Sequence, residues 1–114
     1  MNEQLNQELE TIKADIKEYV NAPFVRGPEG VEANQAVKSK LKTFIIKIKE
    51  DGTLTSEEKQ ALTTKAIIVL AENTGSHVDK PIASGILKEL QERKYLSDED
   101  INTFNDHTRT RRWE

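Results

Sequence analysis

Cysteine is absent from this chain, and aromatic residues, proline and glycine are scarce. Without cysteine, the chain has no disulfide, no thiolate metal site and no cysteine nucleophile. Three prolines and five glycines are too few for the many turns that an all-β fold requires. These shortages favour an all-α fold.

Long hydrophobic runs are missing as well. No apolar run approaches the roughly 18 residues that a membrane-spanning helix needs, and the first ten residues are polar and acidic, unlike a signal peptide. We therefore expect a soluble cytoplasmic protein. The net charge of −3 is too small to indicate a partner by itself.

Amphipathic periodicity dominates what is present, since 35% of the residues are hydrophobic and 32% are charged. Apolar residues recur at helical spacing in five segments. These predicted helices cover residues 3–20, 29–50, 56–73, 81–94 and 98–107. We expect an all-α fold, a small bundle of four to five helices built from two helical hairpins with an N-terminal helical arm.

The domain organisation follows from the breaks between these segments. The prolines and glycines of residues 23–30 interrupt the helical pattern. We therefore assign residues 1–22 to the arm, 29–107 to the bundle and 108–114 to a flexible basic-aromatic tail.

The arm carries an apolar stripe at alternating steps of four and three residues, which is the spacing of a coiled-coil seam. Its members are Leu5, Leu9, Ile12, Ile16 and Tyr19. A stripe this narrow suits packing on its own domain and pairing with a second chain equally well. Self-association into a homodimer through this helix is therefore one prediction.

A weak internal repeat appears when Leu54 is aligned with Leu96. Each unit reads helix, tight turn, leucine, hydroxyl residue, and then an acid three positions later. Thr55 with Glu58, and Ser97 with Asp100, fit the pattern of a capping box at a helix N-terminus. The repeat predicts two matched helical hairpins.

The first of these turns, "KEDGTLTSEEK", resembles the second half of an EF-hand calcium loop over about eight residues. With Gly52 at loop position six, Lys47 and Lys49 occupy positions one and three. Those positions need oxygen ligands, and an ammonium group repels the ion. We interpret the segment as a turn without a metal.

Gly85 lies inside the fourth predicted helix, next to Ala83 and Ser84. A glycine in mid-helix costs about 1 kcal/mol relative to alanine. A close helix–helix crossing at Gly85 would be one compensation for that cost.

Catalytic constellations are not apparent in the sequence. His77 and His107 are the only imidazoles, and neither has metal-ligand spacing. His77 lies close to Asp79, but no nucleophile motif or glycine-rich phosphate loop accompanies the pair. We expect neither enzymatic activity nor a cofactor.

Two basic features are candidates for partner binding. Lys38, Lys42 and Lys49 fall within about 40° of one another on the second helix at 100° per residue. This lysine stripe is either a solvated edge balanced by acidic neighbours or a surface for an acidic partner.

The second basic feature is the C-terminal segment "HTRTRRWE". Arginine pairs with carboxylates and phosphates, and tryptophan offers a large apolar contact. The segment either folds back over an apolar seam or docks on a partner. The candidate docking residues are Arg109, Arg111, Arg112 and Trp113.

These observations predict a small non-enzymatic helical module that binds another protein. An adaptor, an inhibitor, an immunity protein or an assembly factor of phage or mobile-element origin fits this description. The alternative is a nucleic-acid-binding regulator that uses the basic second helix and the tail. The carboxylates at the starts of the third and fifth helices disfavour it, because they would face phosphates.

Overall fold

The computed structural model describes residues 3–21, 28–73 and 79–113, with side chains over residues 3–18, 32–73 and 80–108. Five α-helices cover most of this part of the chain, and it contains no β-strand. The helices are α1 (Glu3–Asn21), α2 (Pro28–Glu50), α3 (Ser56–Glu72), α4 (Asp79–Glu92) and α5 (Asp98–Trp113). The predicted all-α bundle is confirmed.

Helix α2 is the centre of the bundle. It packs against α1, α3 and α4, while α5 packs along α3. Leu41, Phe44, Ile45 and Ile48 of α2 are at most 1% exposed, because helices cover α2 on several sides. The N-terminal helix contributes its apolar stripe to the same hydrophobic core.

Both predicted capping boxes start their helices. The Thr55 hydroxyl accepts from the Glu58 amide at 3.1 Å, and the Glu58 carboxylate accepts from the Thr55 amide at 2.9 Å. Ser97 and Asp100 make the same reciprocal pair at 3.3 and 3.0 Å. Each box satisfies amides that a helix start leaves without partners, which typically contributes about 1 kcal/mol.

The two turns lie side by side at one end of the molecule. The Tyr95 hydroxyl, in the α4–α5 turn, hydrogen-bonds at 2.5 Å to the Glu50 carboxylate at the end of α2. Near the starts of α3 and α5, the Gln60 amide donates to Asp100 at 2.9 Å. Tyr95 can donate this hydrogen bond only while its hydroxyl is protonated. The hydrogen bond to Glu50 therefore raises the pKa of Tyr95.

The turns differ in how the preceding helix ends. Lys94 has a left-handed φ of 67°, and the amides of Lys94 and Tyr95 donate to the carbonyls of Gln91 and Leu90 at 3.0 and 2.8 Å. This is a Schellman motif, whose left-handed position usually holds glycine. The matching glycine of the first turn, Gly52, does not have a left-handed φ.

A close helix–helix crossing does not compensate for the glycine at position 85. A Cβ atom added at Gly85 would meet nothing within 4 Å, and the residue is exposed. Helix α4 packs on α2, and its buried residues include Ile86, Leu87 and Leu90.

The predicted end of the last helix also needs correction. We expected helix only as far as His107, but the helical backbone of α5 continues to Trp113. The side chains of residues 109–113 lie outside the described residues.

Candidate functional site

The lysine stripe is largely used inside the bundle. Lys38 is only 2% exposed and has an interaction partner. Asn34, one helical turn before Lys38, and Leu41, one turn after it, are buried on the same side of α2. Lys38 therefore fits neither the solvated-edge interpretation nor the partner-surface interpretation, because the neighbouring helices cover more of α2 than its apolar residues indicate.

Lys42 forms an ion pair with Glu89 of α4, with 3.3 Å between Nζ and Oε2. Glu89 also contacts Arg93 at 3.5 Å, and the Arg93 guanidinium lies 5.3 Å from the centre of the Tyr95 ring. These contacts connect α2 to the end of α4. Lys42 thus agrees with the interpretation in which acidic neighbours balance the charge of the lysine stripe.

Lys49 is half-buried next to the first turn. Its backbone carbonyl accepts a hydrogen bond from Lys59 Nζ at 3.1 Å. The stripe is therefore not a continuous cationic surface, since its three members differ in exposure and in partners.

The EF-hand-like turn uses its acids locally. Asp51 accepts from the Thr53 amide at 2.7 Å and from the Thr53 hydroxyl at 2.5 Å. These hydrogen bonds lower the pKa of Asp51 below 3.8, the hydroxyl contributing most. Glu58 is occupied by the capping box. Within the described part of the chain, no group of three or more histidines and carboxylates is placed to hold a metal ion.

The two histidines are only partly described. His77 lies outside the described residues, as does the side chain of Asp79. His107 Nδ1 lies 2.9 Å from the backbone carbonyl oxygen of Thr103. His107 therefore contacts its own helix.

The self-association stripe is buried in the chain's own core. Leu5, Leu9, Ile12 and Ile16 are between 0% and 9% exposed, and the side chain of Tyr19 lies outside the described residues. A homodimer through this stripe would require α1 to leave its own bundle. Self-association through α1 stays a prediction.

A seam between α1 and α2 contains openings on the described surface, and sequence reasoning missed it. Two ion pairs cross it, Lys40–Asp15 at 3.0 Å and Lys47–Glu8 at 2.9 Å. The only signal in the sequence was the opposite charge of the two helices. The pairing itself depends on α1 packing against α2, which charge alone does not establish.

Two openings lie along this α1–α2 seam. One of about 530 Å³ lies between the start of α1 and the first turn, with Leu5, Thr11 and Leu54 in its lining. The other, of about 380 Å³, is lined by Ile12, Phe44 and small residues of α2. Glu8 borders both openings, and the lining of each combines apolar side chains with polar and charged ones.

Comparison with known proteins identifies no relative. No family model matches the chain, and no curated protein or solved structure is significantly similar to it. In the described residues, no helix combines the length and the apolar character that crossing a bilayer requires. Function must therefore be argued from the chain's own surfaces.

Proposed function

We propose that this protein is a non-enzymatic interaction module, such as an adaptor, inhibitor, immunity protein or assembly factor, that docks on another protein through the end of α5. The observation that carries the proposal is that α5 remains helical through Trp113. A helical end presents its residues in a fixed register, and amphipathic helices bind grooves through anchors three and four residues apart.

The helical register of α5 places the candidate docking residues on two different sides of the helix. The Cα atoms of Arg109, Arg112 and Trp113 lie within about 100° of one another at 100° per residue. Arg111 follows the buried Phe104 by two helical turns and so shares its side of the helix. Tryptophan and arginine are the most frequent binding hot spots. We therefore assign docking to Arg109, Arg112 and Trp113.

The nucleic-acid alternative has less support from the structure than from the residue pattern. It depends on a basic second helix, but Lys38 is buried and Lys42 is paired with Glu89. Of the basic residues that the nucleic-acid alternative requires, only the arginines of α5 and Lys49 remain as candidate phosphate contacts. Filter binding at low salt tests it, since phosphate contacts produce retention that falls steeply as salt rises.

Affinity capture with matched variants tests the proposal. The full chain, an Arg109→Ala/Arg112→Ala/Trp113→Ala variant and an Arg111→Ala control are used as baits in extracts of the source cells. We expect a protein retained in stoichiometric amount by the full chain and by Arg111→Ala, and lost with the triple variant. Retention by the triple variant, or no retained protein, contradicts the proposal. The cytoplasmic location and the phage or mobile-element origin stay predictions.

A further inference from the structure

The face of α2 and α3 that α1 covers has the properties of a helix-binding groove. It accepts four aliphatic side chains at steps of four, three and four: Leu5, Leu9, Ile12 and Ile16. We call this face the α1 groove. Its apolar floor is continuous with the core of the bundle.

The edges of the α1 groove are cationic. Lys40 and Lys47 of α2 pair with Asp15 and Glu8 of α1. On the α3 side, Lys65 Nζ lies 3.4 Å from the Asn6 side-chain oxygen. The groove therefore selects for acidic or oxygen-bearing side chains flanking an aliphatic stripe.

Helix α1 does not fill this groove completely. The two openings of the α1–α2 seam, about 530 and 380 Å³, border its length. Gln4 and Thr11 of α1 line the larger one, where apolar side chains in their place would cover the half-buried Leu54. A helix with better-fitting residues would thus bury more apolar surface than α1 does.

We propose that the α1 groove is a binding site for an acidic amphipathic helix of a partner protein, and that α1 is its intramolecular occupant. Counted from the position of Leu5 as i, the partner helix carries aliphatic residues at i, i+4, i+7 and i+11. It has carboxylates at i+3 and i+10, and apolar residues at i−1 and i+6. This surface is separate from the end of α5, so either proposal can fail without the other.

A second copy of the chain is a poorer occupant than such a partner. Its α1 would leave the same openings and would repeat the same two ion pairs, so exchange between copies adds no contact. A tethered occupant also has an effective concentration that reaches the millimolar range. A competing helix must therefore bind the α1 groove more tightly than α1 does, by filling the openings that α1 leaves in the α1–α2 seam.

The test uses the full chain and a synthetic helix as the probe. The probe is a fluorescein-labelled peptide of residues 3–18 with Gln4→Leu and Thr11→Leu, titrated with the chain and followed by fluorescence anisotropy. We expect saturable binding, tighter than that of the unsubstituted peptide. Hydrogen exchange of the chain is measured in parallel, and bound peptide should speed exchange in α1 while α2 stays protected.

Charge-reversed peptides make the test specific. Glu8→Lys with Asp15→Lys in the probe should weaken binding roughly tenfold, because two attractive contacts become repulsive. Glu10→Lys with Glu18→Lys changes the net charge equally at exposed positions and should leave the affinity unchanged. All of these arms use the unmodified chain, so no variant has to fold.

The outcomes separate clearly. Binding that follows the position of the charges and releases α1 supports the α1 groove as a helix-binding site. Three results overturn the proposal: no binding of the peptide at millimolar concentrations of the chain, equal weakening by both charge reversals, or binding without faster exchange in α1.

Discussion

Replacing Gly85 with alanine should stabilise the protein. Gly85 is the seventh residue of α4, it is exposed, and an added Cβ would meet nothing within 4 Å. Alanine therefore brings no clash and no new packing, and only the backbone preference changes. The expected gain in the free energy of unfolding is about 1 kcal/mol.

Urea denaturation followed by circular dichroism at 222 nm measures this gain. With a denaturant slope of about 2 kcal/mol per M, the midpoint should rise by roughly 0.5 M. The neighbouring Ser84→Gly is the matched control, because it places a mid-helix glycine at another exposed position. It should cost about 0.5 kcal/mol, which is the difference in helix propensity between serine and glycine. A midpoint that falls on Gly85→Ala while Ser84→Gly behaves as expected would refute the reasoning, since it would reveal a close contact at Gly85.

Other predictions follow from single contacts. Lys94→Gly should stabilise the fold by about 1 kcal/mol in urea denaturation, because glycine adopts a left-handed φ without the clash of a Cβ. Asp100→Ala should cost about 2 kcal/mol in the same assay, because it removes a buried acceptor shared by the capping box and α3. Lys38→Ala should also be destabilising, by about 2–4 kcal/mol, because it empties a buried volume. Thr53→Val should raise the pKa of Asp51 in a carboxyl NMR titration. The lowered pKa stabilises the folded state at pH above 3.8 and is lost as pH falls through the folded value, so the variant should lose less stability on acidification.

The helices and their starts were predictable from the sequence because their causes are local. Apolar spacing located all five helices, and a hydroxyl residue three positions before an acid located the starts of α3 and α5. These signals act within a few residues of each other.

The candidate site was less predictable because it depends on which helices meet. Lys38 and Lys42 look alike in the sequence, yet one is buried and the other pairs with α4. A close crossing at Gly85 was compatible with the sequence, but the residue is exposed and an added Cβ would meet nothing within 4 Å. The basic residues after His107 lack apolar periodicity, so nothing local indicated that α5 continues to Trp113.

The proposed function depends on the docking residues being part of helix α5. NMR tests this most directly. Backbone carbon chemical shifts of residues 108–113 report whether that segment is helical in solution. We expect helical shifts through Arg112. We also expect ¹⁵N relaxation values that are typical of a rigid backbone and match those of residues 98–107. Random-coil shifts with fast local relaxation would contradict the claim and would return these residues to the flexible tail that the sequence indicated.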